Sequence, residues 1–380
     1  MMWLVLLVAL LFSSVCLSVV YVCYQIETNP SNEDFFFGVS FGGNTTSEAK
    51  LLIDKVKGYT NLFVINSWDV TINKTALNEI CEYAVNAEMH FMVFFDFISH
   101  STYPWHLTWL DTATERWGSK FLGIYLYDEP GGRLIDEGQW RGEKIFENVS
   151  DYSDAANQVV TKISSGRSMQ DLKNRSISAF TSDYALYWFD YPAGYDAIFV
   201  EFGWNHSRIK HVALGRGAAN VQDKQWGAII TWTYKRPPYL ENGTKMLQDM
   251  ITAYQAGAQY IIVFNYPKIN LNPYGILEEE HFTAMKKFWN SIHSFPRSPF
   301  GKIEGQVAFV LPKDYGWGMR NPDDRIWAKW PPDELSPLIW NNMDKLIERY
   351  GLKLDIIYDD PRFNFEEKYS EIYFWNSTID

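Results

Sequence analysis

The sequence predicts an α/β protein in which a (β/α)8 barrel is followed by a small α/β module. Three observations support this prediction. Eight short apolar runs read as buried strands, helical patterns lie between them, and the alternation takes about 260 residues, a length typical of one such barrel. An open doubly wound sheet is the alternative, but the glycines of Gly38–Asn44 lack the spacing that such a sheet uses to bind phosphate.

The strands are predicted from runs of β-branched, aliphatic and aromatic residues, and the helices from apolar periodicity with polar N-caps and glycine stops. The predicted strands are Phe36–Phe41, Asn61–Asn66, His90–Phe95, Phe121–Tyr127, Arg175–Thr181, Asp196–Phe202, Trp226–Thr233 and Tyr260–Asn265. The predicted helices include Ser47–Gly58, Ala76–Ala87, Leu107–Trp117, Asp151–Ser164, Ile209–Ala219 and Lys245–Ala256. Pro130–Asn148 shows no clear element and is predicted to be a loop over the barrel mouth.

These elements place the barrel domain at residues 35–297 and the module at residues 301–380. The module is too short for a full dinucleotide-binding domain, and we expect it to pack on the barrel. Its predicted elements are the strands Gln306–Leu311, Lys353–Tyr358 and Glu371–Trp375 and the helix Pro337–Tyr350.

The N-terminus suggests export. Trp3–Val22 holds no charge, and its 20 residues are enough to span a bilayer, whereas a cleaved signal peptide has a shorter apolar core. We predict a membrane-anchoring signal segment at residues 1–24, with a cleaved signal as the alternative, and a polar linker at residues 25–34. Seven glycosylation sequons follow, which favours a glycoprotein that is secreted or held at the cell surface. They begin at Asn44, Asn73, Asn148, Asn174, Asn205, Asn242 and Asn376.

Composition excludes several classes of function. The formal net charge is −12 and no dense basic stretch occurs, which argues against nucleic acid as the main partner. No HExxH motif or cysteine cluster is present, so the sequence predicts no metal ion and no cofactor. A GxSxG nucleophile elbow is also missing, which argues against a serine hydrolase. Aromatic residues make up 17% of the chain, with 16 tryptophans. The oligomeric state is left open.

Two apolar runs end in carboxylates, FLGIYLYDEP (Phe121–Pro130) and YDAIFVEFGWN (Tyr195–Asn205). Successive side chains of a strand point to opposite faces. If the aliphatic residues face the covering helices, Glu129 and Glu201 face the barrel interior, and Asp128 faces outward. Because the strand ends open into the mouth of such a barrel, we predict a site at the mouth with both glutamates in it.

Further polar and aromatic residues lie at or after strand ends. Asn and Asp side chains bind sugar hydroxyls, while tryptophan and tyrosine rings cover the apolar faces of sugars, so this set is typical of a carbohydrate cleft. The predicted substrate-binding residues are Ser40, Asn66, Trp68, Asp96, Asp183, Trp204, Trp232, Tyr234 and Asn265.

On these residues the chain resembles the TIM-barrel glycoside hydrolases, over roughly Phe36–Ile292. The resemblance is carried by YDEP at the end of strand four, VEFGWN at strand six and TWTY at strand seven. In the largest clan of these enzymes a glutamate closes strand four and another closes strand seven. Glu129 fits the first position, but Thr231–Tyr234 at strand seven holds no carboxylate.

The resemblance therefore implies one of two other arrangements. Some families place the catalytic pair on strands four and six, which implies Glu129 as acid/base and Glu201 as nucleophile or base. Others act on N-acetylhexosamines, which implies Asp128 orienting the substrate acetamido group beside Glu129. The module is similar to the small α/β domain that follows the barrel in some β-galactosidases, though it is shorter.

The sequence thus predicts a glycoside hydrolase that acts on an oligosaccharide or polysaccharide. Carboxyl groups about 5 Å apart would imply retention of anomeric configuration, and a separation of about 6.5–9.5 Å would imply inversion. Two alternatives remain. One is a non-catalytic carbohydrate-binding or cell-surface scaffold, because a fold does not determine a function. The other is a barrel hydrolase or lyase acting on an acidic polymer, which the negative net charge disfavours.

Overall fold

A computed structural model describes residues 35–95, 104–140, 142–266, 272–294 and 300–379. Phe36–Asp380 forms one compact unit. The predicted signal segment and linker, residues 1–34, lie outside the described residues, and so does Asp96. Within the described ranges, no helix is both long and apolar enough to cross a membrane.

Eight parallel strands form a closed barrel in sequence order, and β1 pairs with β8 to complete it. The predicted (β/α)8 barrel is confirmed, and the open-sheet alternative is wrong. The strands are β1 (Phe36–Phe41), β2 (Leu62–Ile65), β3 (His90–Phe94), β4 (Phe121–Tyr125), β5 (Ala179–Asp183), β6 (Ala197–Phe202), β7 (Gln225–Ile230) and β8 (Tyr260–Val263).

The helices begin where side chains can satisfy the first backbone N–H groups. Asn73, Asp151, Ser207 and Asn242 each cap a helix with a side-chain oxygen. The helices of the barrel are α1 (Thr46–Val56), α2 (Trp68–Thr71), α3 (Lys74–Asn86), α4 (Trp105–Trp117), α5 (Pro130–Glu137), α6 (Tyr152–Ser164), α7 (Arg167–Lys173), α8 (Tyr187–Ala193), α9 (Arg208–Val221), α10 (Gly243–Gln255) and α11 (Glu279–His293).

Aromatic rings fill much of the barrel interior. Phe199 on β6 stacks on Phe180 of β5 at 5.9 Å between ring centroids and lies 5.5 Å from Tyr260 of β8. Gly227 makes room for them, because a Cβ there would lie 2.6 Å from the Tyr260 carbonyl and 2.9 Å from the Phe199 ring. Burying each ring stabilises the fold by about 1.5–3 kcal/mol. The interior is therefore a packed core below the polar strand ends.

Two predicted elements are corrected. The fifth strand was expected at Arg175–Thr181 but spans Ala179–Asp183, because Arg175 and Ser176 form the turn that ends α7. Pro130–Glu137, expected to be loop, is helix α5. Gly131 and Gly132 hide this helix in the sequence, since glycine has low intrinsic helix propensity.

The C-terminal module is a three-stranded parallel sheet in the order β10-β9-β11 with one helix. Its predicted elements are confirmed to within two residues. They are β9 (Val307–Leu311), β10 (Leu354–Tyr358), β11 (Glu371–Phe374) and α12 (Ser336–Tyr350). Between β9 and α12, a long loop reaches the barrel helices, where Arg320 contacts Asp136 of α5.

A buried ion pair joins the module to the barrel. Arg216 on α9 donates from Nε to Oδ1 of Asp355 on β10 at 2.7 Å, and both side chains are almost fully buried. Asn220 and Tyr369 each donate to the other carboxylate oxygen at 3.0 Å. Burying two charges is costly, and this set of hydrogen bonds offsets that cost only while both partners are present.

We therefore expect Asp355→Asn to lower the free energy of unfolding by about 3–5 kcal/mol, because Arg216 would be left buried without a counter-charge. Urea unfolding of the full chain at neutral pH measures this. Asp54→Asn is the matched control, since the ion pair between Asp54 and Lys57 is exposed and its loss should have a much smaller effect on the free energy of unfolding. Equal losses in the two variants would contradict a special role for the buried pair.

Candidate active site at the barrel mouth

The turn from β4 into α5 brings Asp128 and Glu129 to the barrel mouth. Tyr127 and Glu129 have φ values of 56° and 53°, in the left-handed region that non-glycine residues rarely occupy. The Glu129 N–H donates to the carbonyl of Ser182 on β5 at 3.1 Å, which ties the turn to the next strand. Strain of this kind persists only where neighbouring structure holds it, and it is concentrated at functional sites.

Asp183, at the end of β5, holds the start of α5. Its carboxylate accepts hydrogen bonds from the N–H groups of Gly131 at 2.6 Å, Gly132 at 2.7 Å and Tyr184 at 2.7 Å. A Cβ on Gly131 would lie 2.9 Å from that carboxylate, so glycine permits the close approach. A carboxylate on a neighbouring strand thus caps a short helix and fixes the direction in which Glu129 points.

Glu129 and Glu201 lie close together at the mouth, where the charge of Glu129 acts on Glu201. Glu201 is only 3% exposed and points inward from β6, whereas the side chain of Glu129 is 26% exposed. Burial raises the pKa of Glu201 well above its usual range, and the nearby negative charges of Glu129 and Asp128 raise it further. Burial and neighbouring charge therefore favour the protonated form of Glu201.

Arg133 neutralises part of this charge. Its guanidinium lies 3.3 Å from Glu129, one helical turn away on α5, and 3.8 Å from Asp128. The sequence analysis missed Arg133 because it took this segment for a loop. The four-residue spacing from Glu129 would have indicated the contact once the helix was recognised.

Two hydroxyl groups connect Asp128 to Glu201. Tyr125 Oη lies 2.6 Å from Asp128 Oδ1 and 2.7 Å from Ser182 Oγ. Ser182 Oγ lies 2.9 Å from Glu201 Oε1. Asp128 therefore meets the inward-facing Tyr125, and the prediction that it faces outward is wrong, because alternation ends with β4 at Tyr125. The sequence analysis also missed Ser182, because the predicted fifth strand starts four residues too early and ends at Thr181, two residues short of Asp183.

A second carboxyl pair lies behind the first. Asp190 on α8 is buried close to Asp183. Burial and the charge of Asp183 raise the pKa of Asp190 well above its usual range, and burial raises that of Asp183 to about 7. The proton belongs on Asp190, because N–H donors already occupy the oxygens of Asp183. Asp183 is therefore a structural carboxylate here, in contact with α5.

The other predicted residues lie around the mouth but apart from the carboxylates. The Asn265 N–H donates to Ser40 Oγ at 2.9 Å, and Asn265 Oδ1 accepts from the N–H of Ile276 at 3.1 Å, so this pair joins β1 to β8. Asn66 is half-buried at the end of β2, and Trp68, which begins α2, is 42% exposed.

Aromatic rings cluster at the ends of β7 and β8. Trp232 packs against Tyr239, Phe264 and Tyr266 with ring centroids 5.3–5.5 Å apart. Tyr234 and Tyr266 are exposed. Trp204 is half-buried, and its N–H donates to the Trp232 carbonyl at 2.7 Å. The cluster presents flat apolar faces beside the mouth, which is the surface that a sugar ring needs.

Within the described residues, no group of three or more His, Cys, Asp or Glu side chains is arranged to hold a metal ion.

Comparison with known proteins gives a fold. No protein-family model and no curated protein matches the sequence. Among solved structures, the β-galactosidase of the Antarctic haloarchaeon Halorubrum lacusprofundi matches with a TM-score of 0.53 at 10% identity, over 90% of this chain and 69% of that chain. An endo-1,4-β-mannanase from Rhizomucor miehei gives 0.45 at 9% identity, over 69% and 95%. A xylanase from Cellvibrio japonicus gives 0.42 at 11% identity, over 67% and 97%.

At such identities the likeness concerns the fold alone, and the chain has the TIM-barrel fold found in glycoside hydrolases. The match to the β-galactosidase covers 90% of this chain, which is more than the barrel alone makes up. The match therefore extends into the C-terminal module.

The Asp183–Asp190 pair predicts a pH dependence of stability. The pKa of Asp190 is raised in the folded state. The stabilisation that its protonated form provides is therefore complete below the unfolded pKa of about 3.9, and it is lost as the pH rises toward the folded pKa. In Asp190→Asn an amide N–H replaces the shared proton. Between pH 4 and 7 the wild-type free energy of unfolding should therefore fall more steeply than that of the variant, by about 1.4 kcal/mol per pH unit.

Urea unfolding of both proteins across this range measures the difference. Asp111→Asn, at an exposed carboxylate, is the control and should run parallel to the wild type. Parallel curves for Asp190→Asn as well would show that the pair holds no proton.

Proposed function

We propose that the protein is a glycoside hydrolase whose catalytic pair is Glu129 and Glu201. The feature that supports this most is a pair of neighbouring carboxyls in unequal environments at the barrel mouth, one buried and one partly exposed, so that one can be protonated while the other is ionised. Glycosidic cleavage needs one carboxyl in each of these states, one to protonate the leaving oxygen and one to act as nucleophile or base. Glu129, the more exposed of the two, is the acid/base in this proposal.

The closeness of the pair also favours one stereochemical outcome. Inverting enzymes hold their carboxyl groups about 6.5–9.5 Å apart to admit a water molecule, whereas retaining enzymes hold them about 5 Å apart. Glu129 lies close enough to Glu201 for its charge to raise the pKa of that carboxyl, which fits the shorter separation better. We therefore propose retention, with Glu201 as nucleophile and the aromatic cluster around Trp232 holding a neighbouring sugar ring of an oligosaccharide or polysaccharide substrate.

A second arrangement is favoured by exposure. The side chains of Asp128 and Glu129 are 36% and 26% exposed, so both reach the open mouth, whereas Glu201 is nearly buried. In a hydrolase acting on N-acetylhexosamines, Asp128 would orient the acetamido group while Glu129 protonates the leaving oxygen. Glu201 would then hold the proton of the site without contacting the substrate.

We also propose that the protein is exported and held at the membrane by residues 1–24, or secreted. All seven sequon asparagines are exposed, which supports this proposal. Asn73 and Asn242 cap α3 and α10 through Oδ1, while glycosylation modifies Nδ2, so a glycan and the cap are compatible. Expression in a eukaryotic secretory host should give a protein whose mass falls on endoglycosidase treatment, and an unchanged mass would contradict the proposal.

Hydrolysis by the full chain of a panel of aryl glycosides and oligosaccharides tests the enzymatic proposal. Glu129→Gln and Glu201→Gln should each lower kcat/KM by about 10³–10⁴-fold, because each removes a group that transfers a proton or forms a bond. Their melting temperatures should not fall, since each substitution removes a carboxyl from a crowded negative site. Glu137→Gln, at an exposed residue of the same helix, is the matched control and should keep full activity.

Other outcomes separate the alternatives. Loss of activity in Asp128→Asn and Glu129→Gln, with Glu201→Gln still active and only N-acetylhexosaminides cleaved, would support the second arrangement. An active Glu129→Gln protein would refute both. Failure to cleave any substrate, with binding on a glycan array retained, would replace the hydrolase with a carbohydrate-binding scaffold.

A further inference from the structure

Burial favours the protonated form of Glu201 and leaves the side chain almost no direct contact with water. It is 3% exposed, and its Oε2 atom is buried and accepts no hydrogen bond from an N–H or hydroxyl group of the described residues. To act as nucleophile, Glu201 must first lose its proton, which it cannot pass directly to solvent. The structure therefore has to supply a route from Glu201 to an exposed group.

The two hydroxyls between Glu201 and Asp128 have the geometry of such a route. The three successive oxygen–oxygen distances, from Glu201 through Ser182 and Tyr125 to Asp128, are 2.9, 2.7 and 2.6 Å. Each lies in the range of an O–H···O hydrogen bond. The Ser182 N–H donates to Tyr125 Oη at 3.1 Å and holds the phenol in place. Asp128, at the far end, is 36% exposed.

The row of hydrogen bonds from Glu201 to Asp128 requires a fixed number of protons. Three oxygen–oxygen contacts need three protons, and the hydroxyls of Ser182 and Tyr125 supply two. The third must come from a carboxyl group at one end. Glu201 is the buried end, and burial together with Glu129 and Asp128 raises its pKa, so the third proton rests there. With the proton on Glu201, all three hydrogen bonds point from Glu201 toward Asp128. When Glu201 is ionised, Ser182 Oγ donates to Glu201 Oε1 instead.

We propose that Ser182 and Tyr125 form a proton path that connects the buried Glu201 to the exposed Asp128. This rests on the proposed function and deepens it, because it adds the route by which Glu201 gives up its proton before it acts as nucleophile. In one passage the Glu201 proton moves to Ser182 Oγ, the Ser182 proton to Tyr125 Oη, and the Tyr125 proton to Asp128. Each hydroxyl loses one O–H bond and forms another, and the net change is one proton moved between the carboxyls. Ser182 and Tyr125 are positioning residues.

Several described ionisable groups surround the path and share its field. Glu129 and Arg133 face it from α5, Asp183 lies on β5, and Tyr187 and Asp190 lie on α8. Burial, together with the charges of Asp183, Glu201 and Asp190, raises the pKa of Tyr187 well above its usual range, so Tyr187 stays neutral. Arg133 is the described cation beside the two exposed carboxylates.

The path makes opposite predictions for its two ends. In Tyr125→Phe, Asp128 loses a hydrogen bond to its ionised form, so its titration midpoint should rise. Ser182 is then left to donate to Glu201 alone, so the Glu201 midpoint should fall. In Ser182→Ala the signs reverse, with Glu201 rising and Asp128 falling. Each shift should be about half to one pH unit, the effect of one net hydrogen bond.

Carboxyl-carbon NMR of the full chain labelled at Asp and Glu measures these midpoints, with Asp128→Asn and Glu201→Gln assigning the signals. Tyr184→Phe is the matched control: it also removes a phenol that donates to an aspartate, Asp136, but outside the path, and should move neither midpoint. A shift at only one end in both variants, or shifts of the same sign at both ends, would overturn the proposal.

This readout does not depend on catalysis. If the full chain hydrolyses no glycoside but the midpoints move in opposite directions, the proposed function fails and the proton path stands. If hydrolysis is found and the midpoints do not move, the proton path fails alone. Where both hold, the two limbs of the kcat–pH profile should move with the two midpoints in Tyr125→Phe and Ser182→Ala.

Discussion

The four backbone hydrogen bonds accepted by Asp183 organise the mouth of this barrel. A short helix that starts Pro-Gly-Gly has little tendency to form alone, and its first N–H groups need an acceptor. Asp183 supplies that acceptor from the neighbouring strand, so α5 begins where β5 ends. The left-handed turn at Tyr127 and Glu129 follows from this anchoring, and it turns Glu129 toward Glu201 across the mouth.

The same arrangement concentrates negative charge. Asp128, Glu129, Asp183, Asp190 and Glu201 all lie near the ends of β4, β5 and β6, with Arg133 beside the outer pair. Like charges this close cannot all ionise in a buried setting, so protons are retained and shared. Burial favours the protonated form of Glu201, and the backbone N–H donors to Asp183 favour its ionised form and leave the proton to Asp190.

The C-terminal module contacts two helices of the barrel, α9 and α5. Its sheet is joined to α9 by the Arg216–Asp355 pair, and Arg320 in its long loop contacts Asp136 on α5. Tyr184, which follows Asp183, donates to the same aspartate at 2.7 Å. The helix that carries Arg133 is therefore held at its start by β5 and near its end by the module. Contacts from both the barrel and the module therefore fix the position of α5.

The local pattern of the sequence determined the strands, the helices with polar caps, the closed barrel and the module, because each depends on apolar periodicity and on caps a few residues away. The same pattern predicts that Glu129 and Glu201 lie near each other, since parallel strands of a barrel end at a common mouth. The tertiary structure alone decided α5, whose cap comes from Asp183, 52 residues along the chain from Gly131. It likewise decided the roles of Tyr125, Ser182 and Asp190. A hydrogen bond between strands depends on register and on where each strand ends, and an error of four residues in β5 was enough to hide the residues that connect the carboxylates.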